Sequence, residues 1–293
     1  MTGAGKRTWS RMGRERDEDS LTWNVFRYLE RNGLLDKLGD LLKRNNPALP
    51  GLGFSEKVVY WSVDLERMAT WESLQKARNQ IGEGTKGSEP DIVVVFQGAV
   101  VLIEVKFDSA SVTPAPSPIP SYYRDERGVF KKDLQSTAGV NSIGYELMRF
   151  FLLGEALKEQ LRKPLAVISL TQDSLDADLA RRVNEAVHLD VARCYARLTW
   201  GEVYKFIDAS MTRISPRNGK ASIDGSNCHF LFLWFLIRYL ITFPLQSSLA
   251  PGGVELPARE LEADVERKFD LSLRSSLTPP VLLRFCSTYP QYK

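Results

Sequence analysis

Two carboxylates and a lysine interrupt an otherwise apolar part of the sequence, between Ser88 and Ser109. Asp91 precedes the run IVVVF, and Glu104 and Lys106 lie within the run VVLIEVKF. Paired carboxylates suit a hard divalent cation such as Mg²⁺, because the ion relieves their repulsion and prefers oxygen ligands. Such an ion acidifies bound water and offsets charge on a phosphoryl oxygen, and an ammonium can hold the attacking water. These residue types together therefore suit phosphodiester hydrolysis.

The two apolar runs predict an antiparallel hairpin whose register decides whether these charges meet. If residues 97–98 form a two-residue turn, counting outward places Asp91 directly opposite Glu104. Lys106, two residues further on, then shares their face of the sheet. A three-residue turn would instead put Asp91 opposite Val105. The first register predicts three charged groups at one end of the hairpin. It also puts four apolar residues on their face: Val93, Val95, Val100 and Leu102.

Strand and helix patterns alternate along the rest of the chain. From about residue 18 to 209 their order is α, α, β, α, β-β, α, β, α, β, α, with the first strand over Lys57–Val63 and the next helix over 65–82. This alternation predicts an α/β fold whose central sheet is covered on both faces. The β-β connection is too short for a crossover helix, so these two strands are antiparallel and the sheet is mixed. Alternate prolines over 114–120 predict an extended loop.

The phrase Pro90-Asp91, followed by Glu104-Val105-Lys106, resembles the PD-(D/E)XK motif of the restriction-endonuclease-like nucleases. The resemblance implies an αβββαβ core within residues 18–209, in which a mixed central sheet is flanked by helices. It implies that Asp91 and Glu104 bind metal and that Lys106 positions the nucleophilic water.

Many members of that superfamily also carry an acid on the first helix, which completes the metal site. Here the resemblance implies Glu18 as this ligand and catalytic residue, with Asp19 as the alternative. The alternative is that neither acid has a catalytic role, because the positive end of a helix dipole favours acidic residues in the first turn. Asp19 is the better candidate for a helix cap.

Substrate contacts are predicted on the helix and loop that follow the lysine strand. Many relatives carry a glutamine on this helix, where this sequence has Glu146 in the phrase YELMR, so the role of that position is open. Arg149 is a candidate phosphate contact, with a solvated helix face as the alternative. In the loop, the predicted contacts are stacking of bases on Tyr122 and Tyr123 and a phosphate contact from Arg124. The alternative is a polar surface loop without such a role.

The bulk composition limits the setting in which this chemistry takes place. The chain has 293 residues, a net charge of +3 and three cysteines without CxxC spacing. Disulfide and zinc frameworks are therefore disfavoured, which favours a reducing, cytoplasmic location. The N-terminus lacks the apolar core of a signal peptide. The strongest apolar run, 229–243, is too short for a membrane span and contains Arg238, so no membrane partner is expected.

The sequence predicts a basic arm over 1–17, a nuclease-like domain over 18–209 and a mostly helical extension over 210–293 packed on the core. The expected activity is Mg²⁺-dependent endonucleolytic cleavage of DNA, in restriction, defence or repair, with Mn²⁺ as a substitute. The choice of DNA and a 5′-phosphate product are what the resemblance implies. Double-strand cleavage would need two sites, which a homodimer would supply. The alternative is a catalytically inactive nucleic-acid-binding or assembly module on the same fold.

Overall fold

A computed structural model describes residues 18–107 and 114–212 of the chain. The predicted arm over 1–17 and residues 213–293, which include the apolar run 229–243, lie outside the described residues. The predictions for these segments therefore stay predictions.

The described residues form helices and strands in nearly the predicted order. The helices are α1 (Glu18–Arg31), α2 (Leu35–Asn45), α3 (Glu72–Gln80), α4 (Leu134–Thr137), α5 (Gly144–Leu161), α6 (Leu179–Ala186) and α7 (Trp200–Thr212). The strands are β1 (Ser55–Tyr60), β2 (Val63–Asp64), β3 (Ala69–Thr70), β4 (Ile92–Phe96), β5 (Val100–Val105), β6 (Leu165–Thr171) and β7 (Arg193–Thr199). A 3₁₀ turn spans Gly84–Lys86. Helix α7 crosses the predicted domain boundary at 209.

The strands form one open, mixed sheet in the order β3-β2-β1-β4-β5-β6-β7. Strands β1, β4 and β5 are antiparallel neighbours. Strands β5, β6 and β7 are parallel, and α5 and α6 connect them. Parallel neighbours need such long connections, whereas the β4–β5 pair is joined by a tight turn. The predicted α/β class with a mixed, helix-flanked sheet is therefore confirmed.

Both faces of the sheet are buried, because strands β4, β5 and β6 are fully buried and apolar almost throughout. One face packs with α3, α5 and α6 around a core that includes the four predicted apolar residues Val93, Val95, Val100 and Leu102. Their sequence neighbours, such as Val94 and Ile103, are equally buried and point to the opposite face. Helices α2 and α7 contact the sheet at β7, and α1 contacts α2.

Two predicted boundaries are wrong. Strand β1 ends at Tyr60 rather than Val63, and the helix predicted over 65–82 begins only at Glu72. Between them lies the small β2–β3 hairpin. The chain reverses at Trp61 and Ser62, both of which have positive φ. Neither residue type favours positive φ, since Gly and Asn are the usual residues in such a two-residue turn.

Helix α5 lies close to strand β6 because Gly154 faces it. A Cβ atom at position 154 would come within 2.6 Å of the Leu165 Cδ1 atom, and Leu165 is fully buried. We expect Gly154→Ala to lower the free energy of unfolding by about 1–3 kcal/mol, because overpacking outweighs the better helix propensity of alanine. Urea denaturation would measure this. Gly51→Ala is the control, since a Cβ atom at position 51 meets nothing within 4 Å.

Helices of the described segments are all too short or too polar to cross a membrane.

Candidate active site

The predicted hairpin register is confirmed. Val93 pairs with Leu102, and one step beyond the last paired residues this register sets Asp91 opposite Glu104. The turn consists of residues 97–98 and is closed by a hydrogen bond of 2.8 Å between the amide and carbonyl on either side of it. A three-residue turn is therefore excluded.

Glycine is required in this turn because a neighbouring segment lies against it. A Cβ atom at Gly98 would come within 1.9 Å of the Gly51 carbonyl oxygen. The Gln97 and Gly98 amides donate to the Phe54 and Leu52 carbonyls, both over 2.9 Å. This docking requires glycine at position 98 and holds the two-residue turn in place.

Asp91 directly precedes β4 and reaches across to β5. One of its carboxylate oxygens, Oδ2, accepts a hydrogen bond of 2.8 Å from the Val105 amide. Its carbonyl oxygen accepts one of 3.0 Å from the Trp61 amide. Both bonds hold the Asp91 carboxylate beside the segment that carries Glu104 and Lys106.

Lys106 lies among three carboxylates. Its Nζ atom is 2.5 Å from Glu104 Oε1 and 3.3 Å from Glu146 Oε2. A third oxygen, Glu18 Oε1, is 4.0 Å away. The Glu104 side chain is only 3% exposed and that of Lys106 is 15% exposed. The ammonium is therefore shielded and is surrounded mainly by negative charge.

Helix α1 joins the site through its first residue. The Phe107 amide donates to Glu18 Oε2 over 2.6 Å, which fastens the start of α1 to the residue after Lys106. Asp19 lies in the first turn of the same helix, and its charge raises the pKa values of Glu18 and Asp91. The structure thus brings the predicted residues Glu18, Asp91, Glu104 and Lys106 together.

Burial raises the pKa values of the site carboxylates. It raises the pKa of Asp91 to about 6, against the opposing effects of the Val105 amide and the Lys106 charge. Burial, followed by repulsion from Asp91, raises the pKa of Glu104 well above its ordinary value. Burial is also the main cause that raises the pKa of Glu18. In the absence of added positive charge, these carboxylates therefore hold protons unusually tightly.

Lys106 stays protonated in this setting. Burial lowers its pKa, but the charges of Glu104 and Glu146 outweigh that effect and leave the pKa above its ordinary value. One ammonium thus faces the carboxylates of Glu104, Glu146 and Glu18, with Asp91 close by. Because acidic groups outnumber the cation, an anionic phosphodiester would be repelled unless further positive charge entered.

The donor set fits a hard divalent cation held by two protein ligands. In the stretches 18–107 and 114–212, no three His, Cys, Asp or Glu side chains are arranged to hold a metal ion. Mg²⁺ needs only one or two protein carboxylates and otherwise keeps its waters. Asp91 and Glu104 supply two carboxylates whose mutual repulsion such an ion would relieve. The third ligand predicted at Glu18 stays a prediction.

We expect Asp91→Asn to stabilise the metal-free protein, and more so at higher pH. Because the folded pKa of Asp91, about 6, lies above its ordinary value of 3.8, the wild type loses stability as pH rises between these values. The asparagine cannot ionise, yet it can still accept the Val105 amide hydrogen bond. Its advantage should reach at most about 3 kcal/mol above pH 6 and vanish near pH 4. Urea denaturation in EDTA from pH 4 to 8 would measure it.

The control for this prediction has the opposite sign. Asp133 caps α4 and accepts a hydrogen bond from the Ser136 amide, which with the Ser136 hydroxyl lowers the pKa of Asp133. Asp133→Asn should therefore lose stability, by the full amount above the ordinary pKa of an aspartate and by less as pH falls through the lower folded pKa. A stability difference between Asp91→Asn and the wild type that did not vary with pH would contradict the burial argument.

Arg149 is already paired. Its Nε atom donates to Glu83 Oε1 over 2.9 Å, and its guanidinium lies 5.3 Å from the centre of the Tyr145 ring. The Glu83 side chain is 1% exposed and that of Arg149 is 24% exposed. Its charge is therefore largely balanced, which weakens the case for the predicted phosphate contact.

The three loop residues predicted to bind substrate lie in different environments. Tyr123 is 5% exposed, and its hydroxyl donates to Glu83 over 2.5 Å, so its position is that of a core residue. Tyr122 is 47% exposed. Arg124 is also at the surface, 3.7 Å from Glu126. Tyr122 and Arg124 remain accessible to a ligand, and their predicted role stays a prediction.

Sequence reasoning missed the residues that support the site. Glu83 accepts hydrogen bonds from the Ser88 amide and hydroxyl as well as from Arg149 and Tyr123. It lies in the glycine-rich phrase IGEGTKG, which indicates only the end of a helix. No signal in the sequence identifies it, since two of its three partners, Tyr123 and Arg149, are distant in the chain.

Comparisons with protein-family models, with curated proteins and with solved structures found no match to this chain.

Proposed function

We propose that this protein is a Mg²⁺-dependent nuclease that hydrolyses DNA phosphodiesters, with the PD-(D/E)XK type of active site. The observation that carries the proposal is the placement of Asp91 opposite Glu104, with the Lys106 ammonium 2.5 Å from Glu104. An acid pair and a protonated lysine are thereby concentrated at one end of a rigid, buried hairpin.

The connectivity of the core supports the proposal. When α2, α3, α4, β2, β3 and the 3₁₀ turn are set aside, the elements α1, β1, β4, β5, α5 and β6 follow one another in the αβββαβ order that the resemblance implies. Its first three strands are antiparallel neighbours, and β6 lies parallel to β5. The acids and the lysine lie at the start of β4 and the end of β5, which meet at the same edge of the sheet.

Each site residue has a role that its contacts favour. Asp91 and Glu104 would hold the divalent cation, which when bound lowers the pKa of water and offsets charge on the phosphoryl group. Lys106, which stays protonated, would donate hydrogen bonds to the attacking water and to a phosphate oxygen. Glu146, 3.3 Å from Lys106 Nζ, anchors the ammonium from α5. Glu18 anchors the end of β5 through the Phe107 amide.

Metal binding and cleavage can be tested separately. Mg²⁺ or Mn²⁺ should raise the melting temperature of the wild type, because an ion that binds only the folded state stabilises it. The rise should be lost in Asp91→Asn and Glu104→Gln. The wild type should then be tested on single-stranded, duplex and branched DNA and on RNA, with Mg²⁺, Mn²⁺ or EDTA. We expect metal-dependent cleavage of DNA that leaves a 5′-phosphate.

The outcome also separates the proposal from the binding-module alternative. A protein that binds nucleic acid but cleaves none of these substrates with either metal would be the inactive module. A protein without either binding or cleavage would contradict both. Cleavage of RNA alone would retain the chemistry and change the substrate.

A further inference from the structure

Two tryptophans border the candidate site on its Asp91 side. Trp61 follows β1, and its amide donates to the Asp91 carbonyl over 3.0 Å. Trp23 lies on α1, one turn beyond Asp19. The two indole rings are stacked, with centroids 6.0 Å apart and planes at 18°. Helix α1 and the turn that follows β1 thus hold a stacked pair of aromatic rings beside the segments that carry Glu18 and Asp91.

Trp61 is the less covered member of this pair, with the Tyr60 ring 6.3 Å from its ring in a tilted arrangement. The Trp23 ring is also covered by the Tyr60 ring, at 5.1 Å, and by the Arg27 guanidinium, at 5.5 Å. Arg27 in turn forms an ion pair with Glu30. Trp23 therefore supports the Trp61 ring from one side, and both residues are partly buried, with the Trp61 Nε1 atom itself buried.

The backbone at Trp61 is in a conformation that large side chains rarely adopt. Its φ is +44° and that of Ser62 is +72°, in a two-residue turn where Asn-Gly is the usual sequence. Surrounding hydrogen bonds enforce the turn: Arg78 donates to the Ser62 hydroxyl over 2.5 Å, and the Trp71 amide donates to the Ser62 carbonyl over 2.8 Å. Such strain clusters at functional sites.

The surroundings indicate the chemistry of a ligand for Trp61. This edge of the sheet is acidic because it carries Asp91, Glu18 and Asp19. The carboxylates would repel an anionic group, whereas the indole face suits a flat, uncharged one. At a site for phosphodiester hydrolysis, that group is a nucleobase. Bases stack on aromatic side chains whatever their sequence. A base inside a duplex is already stacked on its neighbours, so only an unpaired base can present its face.

We infer that Trp61, backed by Trp23, stacks an unpaired base next to the scissile phosphate. The substrate is then single-stranded DNA, or a duplex with an unpaired nucleotide at the cleavage position. This inference rests on the proposed nuclease function and narrows its substrate class.

The first test removes the stacking contact from the substrate, by omitting the base, and leaves the protein unchanged. Single-stranded oligonucleotides would carry one native phosphodiester in an otherwise nuclease-resistant backbone, with an abasic residue moved through the positions around it. With wild-type protein and Mn²⁺, we expect an abasic residue at one flanking position to lower kcat/KM by about 10–100-fold. The other positions should change it by much less. This arm needs no protein variant.

Protein variants identify the side chain. Trp61→Leu should lower kcat/KM on the intact oligonucleotide by a similar factor and should be insensitive to the critical abasic residue, because both changes remove the same contact. Trp61→Phe should retain most of the activity. Trp61→Leu should also abolish the preference for single-stranded over fully paired DNA.

Failure of the inference and failure of the function look different. If wild-type protein cleaves the oligonucleotides but every abasic residue is tolerated, the stacking role is wrong and the nuclease function stands. Faster cleavage of fully paired duplex than of single strands would also overturn the inference. If wild-type protein cleaves nothing with either metal, the proposed function itself is wrong.

Discussion

Replacing Lys106 with methionine is expected to lower the single-turnover rate of DNA cleavage by about 100–1,000-fold, while DNA binding is retained. The ammonium is the cation that the protein itself supplies at the carboxylate pair, 2.5 Å from Glu104. Methionine preserves the length and the apolar stem of the side chain. It leaves nothing to hold the attacking water or to balance charge on the phosphate. Rapid-quench kinetics with saturating protein would measure the rate, and fluorescence anisotropy would measure binding.

Lys163 provides the matched control. Its side chain is similarly shielded, 18% exposed, and its Nζ atom is 3.0 Å from Glu56. It also donates to the Phe96 carbonyl over 2.6 Å, at the opposite end of the hairpin. Lys163→Met should cost stability but leave the cleavage rate per folded molecule unchanged. If Lys106→Met cleaved DNA at the wild-type rate, or if both variants lost the same fraction of that rate, Lys106 would have no role in the mechanism.

The register of the hairpin could be predicted only up to the length of its turn. The runs on either side of residues 97–98 are apolar on both faces, so their pattern does not choose between registers. A two-residue turn sets Asp91 opposite Glu104, and a three-residue turn does not. The structure adds the reason for the turn sequence, since Gly98 lies against the Gly51 carbonyl. That contact joins segments almost 50 residues apart and cannot be read from either one.

The strand boundary at Tyr60 could not be predicted for a related reason. Trp61 and Ser62 have no intrinsic preference for positive φ. Their turn is held by Arg78, which is 3% exposed and donates to both the Ser62 hydroxyl and the Ser88 carbonyl. Tertiary hydrogen bonds therefore override local preference here. The same bonds connect the turn to the segment that leads into Asp91.

The loop residues show how burial separates similar side chains. Tyr122 and Tyr123 are adjacent, and both were predicted to contact substrate. Tyr123 is buried because its hydroxyl reaches Glu83, whereas Tyr122 packs its Cβ atom against Gly82 and stays exposed. Composition favours aromatic contact with nucleic acid for both residues. Only the position of a distant carboxylate distinguishes them.

Glu83→Ala is expected to have the largest effect on stability, lowering the free energy of unfolding by about 3 kcal/mol at pH 7. The carboxylate is buried and accepts hydrogen bonds from Arg149, Tyr123 and Ser88. Its removal leaves the Arg149 cation without its partner and the other donors unsatisfied. The loss is at the lower end of the range for buried pairs because Arg149 remains 24% exposed. Urea denaturation would measure it.

An exposed pair of the same chemistry is the control. Arg127 donates to both carboxylate oxygens of Glu159, over 2.6 and 2.7 Å, but the Glu159 side chain is 48% exposed. Glu159→Ala should therefore cost less than about 1 kcal/mol. Similar losses in the two variants would mean that burial does not strengthen the Glu83 network.

The pH dependence of stability tests the Glu83 prediction a second time, independently of the size of the loss at pH 7. Burial acts to raise the pKa of Glu83, but the hydrogen bonds from Ser88 and Tyr123 outweigh it, so the folded pKa lies below the ordinary value of 4.5. The stabilisation is therefore present above pH 4.5 and is lost as pH falls through the folded pKa. The difference in the free energy of unfolding between wild type and Glu83→Ala should therefore become smaller in acid. Because Ser88 leads directly into Pro90 and Asp91, folded Glu83→Ala should also cleave more slowly, whereas folded Glu159→Ala should not. A gap that widens in acid would show that Glu83 is protonated in the folded protein and that the network is not an ionic one.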